Sequence, residues 1–212
     1  MKQNQTVENH VSTLISDEEK QPLYSSLFES VDAYHLLNIS NASYTDSSTY
    51  GEIEFNGFSE LLSKLTIANG AVFLDLGTGI GKALVAASLL QPFSTLIGVE
   101  SFRPFVESSQ DALHRFEAML KDKGIEQLPV FQSNEGLIEQ TDFSEADVIF
   151  AHSTCFSEAL IQDIQRKSVD MKQGAVIIMT THTLDSDYLT NIHSGSCSMS
   201  WGEATVTMYE RI

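Results

Sequence analysis

Ala71-Val72-Phe73-Leu74-Asp75-Leu76-Gly77-Thr78-Gly79-Ile80-Gly81 decides how this 212-residue chain is read. Its first part is a continuous apolar run, the pattern of a strand buried on both faces of a parallel sheet. The run ends on an acid and then places three glycines within five positions. Glycine allows a sharp turn and lets the backbone approach a ligand that any Cβ would block. Lys82–Leu90 follows as a helix, with its first amides facing whatever lies beyond the strand end.

Working outward, strand and helix patterns alternate. Phe58–Ile67 reads as a helix before the run. Thr95–Glu100 is a second strand, and Pro104–Lys123 a long helix with proline at its start. Leu128–Gln132, Ala146–Ala151 and Ala175–Met179 are further strands, with Ser157–Met171 helical between the last two. Ser196–Trp201 and Ala204–Tyr209 read as a hairpin around Gly202-Glu203. This order predicts an α/β fold: a doubly wound, mostly parallel, seven-stranded Rossmann-like sheet with a C-terminal antiparallel hairpin. Leu23, Leu27, Val31, Tyr34 and Leu37 recur at helical spacing and predict an amphipathic helix over 22–38. Asn41–Thr49 is rich in Ser, Thr, Asn and Asp and reads as loop. The chain therefore divides into an N-terminal extension, 1–47, and a main domain, 48–212.

The net charge is −17, from 12 basic and 29 acidic residues. Such a chain repels nucleic acid and anionic membranes, and its basic residues occur only as scattered pairs such as Lys121/Lys123 and Arg166/Lys167. A basic protein or a cationic small molecule suits it as a partner; plain solubility explains the acidity equally well. Cys155 and Cys197 give neither a disulfide framework nor a metal spacing, so no metal is expected. Met1–Ser16 lacks the apolar core of a signal peptide, and no run of 18 apolar residues occurs. The expectation is an intracellular, cytoplasmic protein.

Spacing separates two nucleotide-type sites. The dinucleotide fingerprint G-x-G-x-x-G would put its third glycine at position 82, which is Lys82. Here the third glycine is Gly81, giving an acid followed by G-x-G-x-G, the spacing used by S-adenosylmethionine enzymes. The second strand then ends in Gly98-Val99-Glu100, and a carboxylate there can accept from both ribose hydroxyls. A dinucleotide or nucleotide-sugar enzyme is the alternative. Ser133-Asn134-Glu135 follows the third strand, where such folds usually contact the adenine, and Asn134 could meet the adenine edge; solvation of a surface loop accounts for Glu135 equally well.

Further motifs fall in a specific order. Ser48-Thr49-Tyr50-Gly51-Glu52 precedes the glycine-rich turn, Val148-Ile149-Phe150 with Cys155-Phe156 follows Glu100, and Ser198-Met199-Ser200-Trp201 comes near the end. Over residues 46–212 this order resembles the disruptor-of-telomeric-silencing family, lysine methyltransferases that modify the core-histone surface of nucleosomes without a SET domain. The resemblance implies a loop of Tyr50, Gly51 and Glu52 folded over the methionine end of S-adenosyl-L-methionine, with Glu52 near its amino group. Asp75, Gly77 and Gly79 would line the same end, within the turn that Thr78 and Gly81 complete, and Glu100 would take the ribose. Phe150, Phe156 and Trp201 would wall a narrow channel for an alkyl amine; core packing is the other account of the two phenylalanines. The chain departs from the family at three places. His152-Ser153-Thr154 stands where the family has Asn-Asn-Phe. Of two adjacent tyrosines the channel one falls on Met208, leaving Tyr209. The lysine-rich DNA-contacting stretch has no counterpart.

Two function classes follow, with a cofactor-binding protein lacking catalysis as a weaker third. The first is transfer of a methyl group to a protein lysine, on a basic and possible histone substrate, which would place the protein in the nucleus of a eukaryote. The second is a small-molecule N- or O-methyltransferase whose acceptor pocket uses His152, at the end of the fourth strand, as a base. His152, Phe156, Trp201 and Tyr209 are the candidate catalytic set. His182, after the fifth strand, also points toward the carboxyl edge of the sheet.

Overall fold

The computed structural model of the protein describes residues 10–39 and 51–212. The strands are β1 (Ala71–Leu76), β2 (Phe93–Glu100), β3 (Val130–Glu135), β4 (Val148–Ala151), β5 (Val176–Thr180), β6 (Leu189–Met199) and β7 (Gly202–Arg211). They form a sheet in the order β3-β2-β1-β4-β5-β7-β6. The first five are parallel, and β7 joins antiparallel to both β5 and β6. The doubly wound expectation holds, hairpin included. The order reverses between β1 and β4, the place where such sheets bind ligands.

The helices are α1 (Val11–Leu14), α2 (Asp17–Phe28), α3 (Ala33–Ile39), α4 (Phe55–Leu62), α5 (Lys82–Leu90), α6 (Arg103–Asp122) and α7 (Glu158–Lys167). One face of the sheet packs under α4, α5 and α6. Phe58 of α4 is fully buried there, its ring 5.0 Å from Phe150 and 6.1 Å from Phe73. The other face carries Ile149, Ile177 and Phe143 against Ile161 and Ile164 of α7. β1 is buried almost throughout, which is why its sequence reads as an unbroken apolar run.

Several boundaries differ from the sequence reading. The helix expected over 22–38 is two helices. Ser16 and Glu19 form a capping box that starts α2 earlier. Asp32 then accepts a hydrogen bond from the His35 amide at 2.9 Å, starting α3 afresh. Pro22 lies inside α2, where it cannot donate to the carbonyl of exposed Glu18. β3 runs to Glu135 rather than ending at Gln132, because pairing with β2 continues to Glu100. Its polar end is held by tertiary partners: Ser133 bonds the Ser109 hydroxyl, and Gln110 donates to the Ser133 carbonyl at 2.8 Å. α4 and α7 are shorter than expected at their C-terminal ends. The hairpin turns at Ser200-Trp201, two residues before the expected Gly202-Glu203, and Gly202 opens β7 with a φ of 142°. Among the described residues no helix is long and apolar enough to cross a membrane.

Candidate functional site

The C-terminal ends of β1, β2 and β4 open onto a cleft of about 410 Å³, within the range of small-molecule sites. Its floor is the turn after β1. Gly77, Gly79 and Gly81 all adopt positive φ (79°, 54° and 86°), a conformation that side-chain-bearing residues enter only at a cost. Gly77 and Thr78 donate to the Val99 carbonyl at 2.8 and 3.1 Å, which ties the turn to β2. Gly98 is part of the same fit: a Cβ there would sit 2.7 Å from Thr78.

Glu100 ends β2 inside this turn and is buried. One carboxylate oxygen accepts from the Gly79 amide at 3.1 Å and the other from the Phe102 amide at 2.8 Å. Each oxygen keeps lone-pair capacity for a further donor. Asp75 is 2% exposed, and its carboxyl is pushed up to about 7. Burial is the main cause; the Thr78 hydroxyl pulls it back and the Glu100 charge pushes it further up. Thr78 Oγ1 is itself buried and has no hydrogen bond of good geometry, so it contributes only this proximity effect.

At one rim, Glu52 forms an ion pair with Lys82, the first residue of α5, and the Lys82 ammonium lies 5.6 Å from the centre of the Phe28 ring. The segment carrying Glu52 is zipped to the tip of the β6–β7 hairpin. Glu52 donates its amide to Ser200 Oγ at 3.1 Å, Ser200 returns a bond to the Glu52 carbonyl at 2.8 Å, and Ile53 bridges to Met199. Gly51 is required here, because any Cβ would strike the Trp201 indole. Trp201 is otherwise 48% exposed and reaches the site only through Gly51.

The opposite wall is formed by Phe150, His152, Cys155, Phe156 and Leu160. The Phe156 ring closes over Gly77, where a Cβ would come within 3.3 Å. His152 lies at the end of β4 with its Nε2 buried and unpartnered. Its pKa is lowered, chiefly by burial, with its own backbone and the Glu52 charge acting the other way. Next to it Thr181 takes a φ of 67°, and the His182 amide bonds back to the Thr180 carbonyl at 2.7 Å, a tight turn rarely tolerated by a β-branched residue. His182 keeps a buried, unpartnered Nδ1 but does not line the cleft.

Of the residues singled out in the sequence, Gly51, Glu52, Asp75, Gly77, Thr78, Gly79, Glu100, Phe150, His152 and Phe156 come together around this cleft, with Gly81 as the residue before α5. Three do not. Asn134 is not among the cleft's lining residues; it is exposed in a neighbouring groove that shares Val99 and Leu137 with the cleft, on the face of β3 opposite Ser133, because alternate strand residues point to alternate faces. Tyr209 is buried against the α7 side of the sheet, its hydroxyl accepting from the Leu184 amide at 3.0 Å. Met208 is buried in the core on the other side. Tyr50 lies outside the described residues. Lys82 escaped the sequence reading although it directly follows Gly81; its meaning depends on Glu52, thirty residues away. Leu137, Ile138 and Glu139, which line the cleft beyond β3, carry no motif. Among the described residues no group of His, Cys, Asp and Glu is placed to hold a metal.

With this geometry in hand, the sequence matches the family described as "Histone methylation protein DOT1" across residues 31–209. The chain belongs to the DOT1 family. A DOT1 relative from Caenorhabditis elegans, a histone-lysine N-methyltransferase specific for H3 lysine-79, is 29% identical over 157 residues. The match covers 68% of this chain and 16% of that protein. A relative of the same description from Cryptococcus neoformans is 26% identical over 149 residues, covering 68% of this chain and 23% of the relative. The chain thus spans less than a quarter of the length of these DOT1 relatives. Among solved structures, an RNA methyltransferase from Salinibacter ruber in complex with S-adenosyl-L-homocysteine superposes with a TM-score of 0.54 at 16% identity, over 73% of this chain and 89% of its own. TrmN from Thermus thermophilus gives 0.55 at 19% identity, over 73% and 48%. At such identities these two neighbours establish the fold that the DOT1 chain shares with them.

Proposed function

We propose that the cleft binds S-adenosyl-L-methionine and that the protein methylates lysine side chains of a basic protein, with a histone as the substrate its family points to. The observation that carries this reading is the glycine turn: three positive-φ glycines joined to Glu100, in a chain of the DOT1 family. The site fits the cofactor. The turn leaves a cradle that side chains would fill, and both Glu100 oxygens have acceptor capacity left for ribose hydroxyls. Asp75 and Glu52 supply negative charge for the cationic methionine end, and Thr78 Oγ1 is a polar atom with capacity to spare.

When bound, the cofactor supplies an electrophilic methyl group on a positively charged sulfur. The protein's own task is alignment and control of the acceptor's charge. A lysine at pH 7 must lose a proton, which costs about 4–5 kcal/mol from its reference pKa of about 10.4. Phe150 and Phe156 provide an apolar wall that disfavours the ammonium and so reduces this cost. The acidic surface, with a net charge of −17, attracts a basic protein and holds DNA off, so substrate recognition rests on the protein surface. On a histone, the place of work is the nucleus.

His152 favours a second reading, an N- or O-methyltransferase of small molecules. Its Nε2 is unpartnered, and burial keeps the ring neutral near pH 7, the state in which a histidine can accept a proton. One assay separates the two. Purified core histones and nucleosomes are incubated with labelled S-adenosylmethionine and the protein, with Gly79→Arg as the inactive control. Incorporation into histone lysine, retained by His152→Asn, supports the lysine reading. Cofactor binding without transfer to any protein rejects it in favour of a metabolite.

A further inference from the structure

The β4–β5 ladder stops at Ala151 and Met179. Beyond it, hydroxyl groups take over from backbone pairing. The Ser153 amide donates to Thr180 Oγ1 at 3.0 Å, and the Ser153 hydroxyl donates to the Thr180 carbonyl. The Thr154 and Thr181 hydroxyls bond each other at 2.9 Å. Ser153 and Thr180 are fully buried. None of these four residues lines the cleft, yet the segment they fix carries His152, Cys155 and Phe156, which do. The Ser153 carbonyl accepts from the Phe156 amide at 2.9 Å, closing the turn that sets the Phe156 ring over Gly77.

Thr181 is the strained member of this clasp. Among the described residues it is the one non-glycine residue with a positive φ, 67°. With the His182 amide on the Thr180 carbonyl at 2.7 Å, it forms a three-residue turn of the rare, strained kind. A β-branched side chain makes that conformation costlier still. Two contacts hold it. The Thr181 amide donates to the Thr205 carbonyl of β7 at 2.7 Å, and the Thr181 hydroxyl meets Thr154. Strain of this kind gathers at functional sites, where surrounding contacts maintain it.

Resting on the methyl-transfer reading above, we infer that Thr181 is a positioning residue: its strained turn, acting through Thr154 and Ser153, holds the His152–Phe156 wall against the glycine turn and so aligns the acceptor. The turn bends the chain after β5 so that one carbonyl, that of Thr180, serves both His182 and Ser153. Relaxing it frees that carbonyl, releases Ser153 and lets Phe156 move off Gly77. The glycine turn itself stays in place, since Gly77 and Gly79 are tied to β2 through Val99 and Glu100. The acceptor loses its alignment while the cofactor keeps its floor.

Thr181→Gly in the full chain tests this, because glycine takes a φ of 67° freely and removes the hydroxyl. The midpoint of thermal unfolding should hold or rise as the strain is relieved. Affinity for S-adenosylhomocysteine should stay within about twofold by calorimetry, while kcat on core histones falls about tenfold through lost alignment. A residue that served stability alone would move these readings together. Thr181→Ser keeps the hydroxyl and should return kcat to within about twofold of the unaltered chain. Thr154→Val removes the other hydroxyl without touching the turn; it should match Thr181→Gly, and the double variant should lose no more than either. It carries the comparison should the glycine variant fold poorly. Hydrogen exchange reads the clasp without any acceptor: the Ser153 and Phe156 amides should exchange about tenfold faster in Thr181→Gly, with residues 176–179 unchanged. Unchanged exchange at those two amides, or an unchanged kcat, overturns the role of Thr181. If the unaltered protein methylates no histone, the lysine reading fails on its own, and the exchange comparison still decides the clasp.

Discussion

The two ends of the cleft are built from different material. The β1–β2 end is backbone: positive-φ glycines, amides bonded to Val99, and a carboxylate tied to two amides. The β4–hairpin end is side chain: Phe150, His152 and Phe156 on one side, and on the other a strap whose Glu52 amide reaches Ser200, 148 residues away. The first end follows from eleven consecutive residues and the next strand. The second exists only once the C-terminal hairpin has folded back.

The sharpest way to break this contrast is to damage each end and ask whether the other notices. Glu100→Gln removes the charge that accepts from Gly79 and Phe102, and it turns an amide group toward the same donors. We expect cofactor affinity to fall about thirtyfold, roughly 2 kcal/mol, by calorimetry. Trp201→Ala, at the other end, should leave that affinity within about threefold while reducing methyl transfer. Equal losses of cofactor affinity in the two variants would mean that the cleft behaves as one unit.

A smaller effect sharpens the electrostatics of the backbone end. The Asp75 carboxyl is raised to about 7 by burial, so in the unliganded protein it takes a proton more readily than it does in the unfolded chain. The sign for stability follows: this group's contribution declines as pH rises from about 4 to about 7 and is constant above. A cationic ligand reverses the preference by stabilising the carboxylate. Cofactor affinity should therefore rise roughly tenfold between pH 6 and pH 8, with proton release at the lower pH. Asp75→Asn should flatten that profile and, without ligand, stabilise the protein at pH 8 relative to the unaltered chain. A profile unchanged by the substitution would assign the titration to another group.

The same contrast explains what could be read in the sequence. β1, its glycines and Glu100 were legible because each is a local signal: apolar run, acid, glycine spacing, acid at the next strand end. The course of β3 was not, since its polar residues Ser133 and Asn134 stay in the sheet through pairing with β2 and bonds from α6. The position of Asn134 beyond an expected strand end points to the cleft, yet it lies within β3 and lines the neighbouring groove. Lys82 was visible but mute without Glu52. The break between α2 and α3 had its signal in Asp32, hidden by an apolar spacing that runs straight across it.

Tyr209 supplies the smallest and most discriminating test, because its role turns on a register of one residue. In β7 Met208 lies opposite Ile178 and Tyr209 opposite Ile177, so the two side chains project to opposite faces of the sheet. Tyr209 consequently sits on the α7 side, away from the cleft, with its hydroxyl satisfying the Leu184 amide in the segment after β5. Tyr209→Phe keeps the ring and removes that acceptor, leaving a buried N–H unpaired. Urea unfolding should show a loss of about 1–2 kcal/mol, while methyl transfer measured well below the unfolding transition stays unchanged. A tyrosine on an acceptor channel would give the converse, full stability with impaired transfer. That result would require β7 to shift by one residue, carrying Met208 out of the core cluster that it now shares with Phe150.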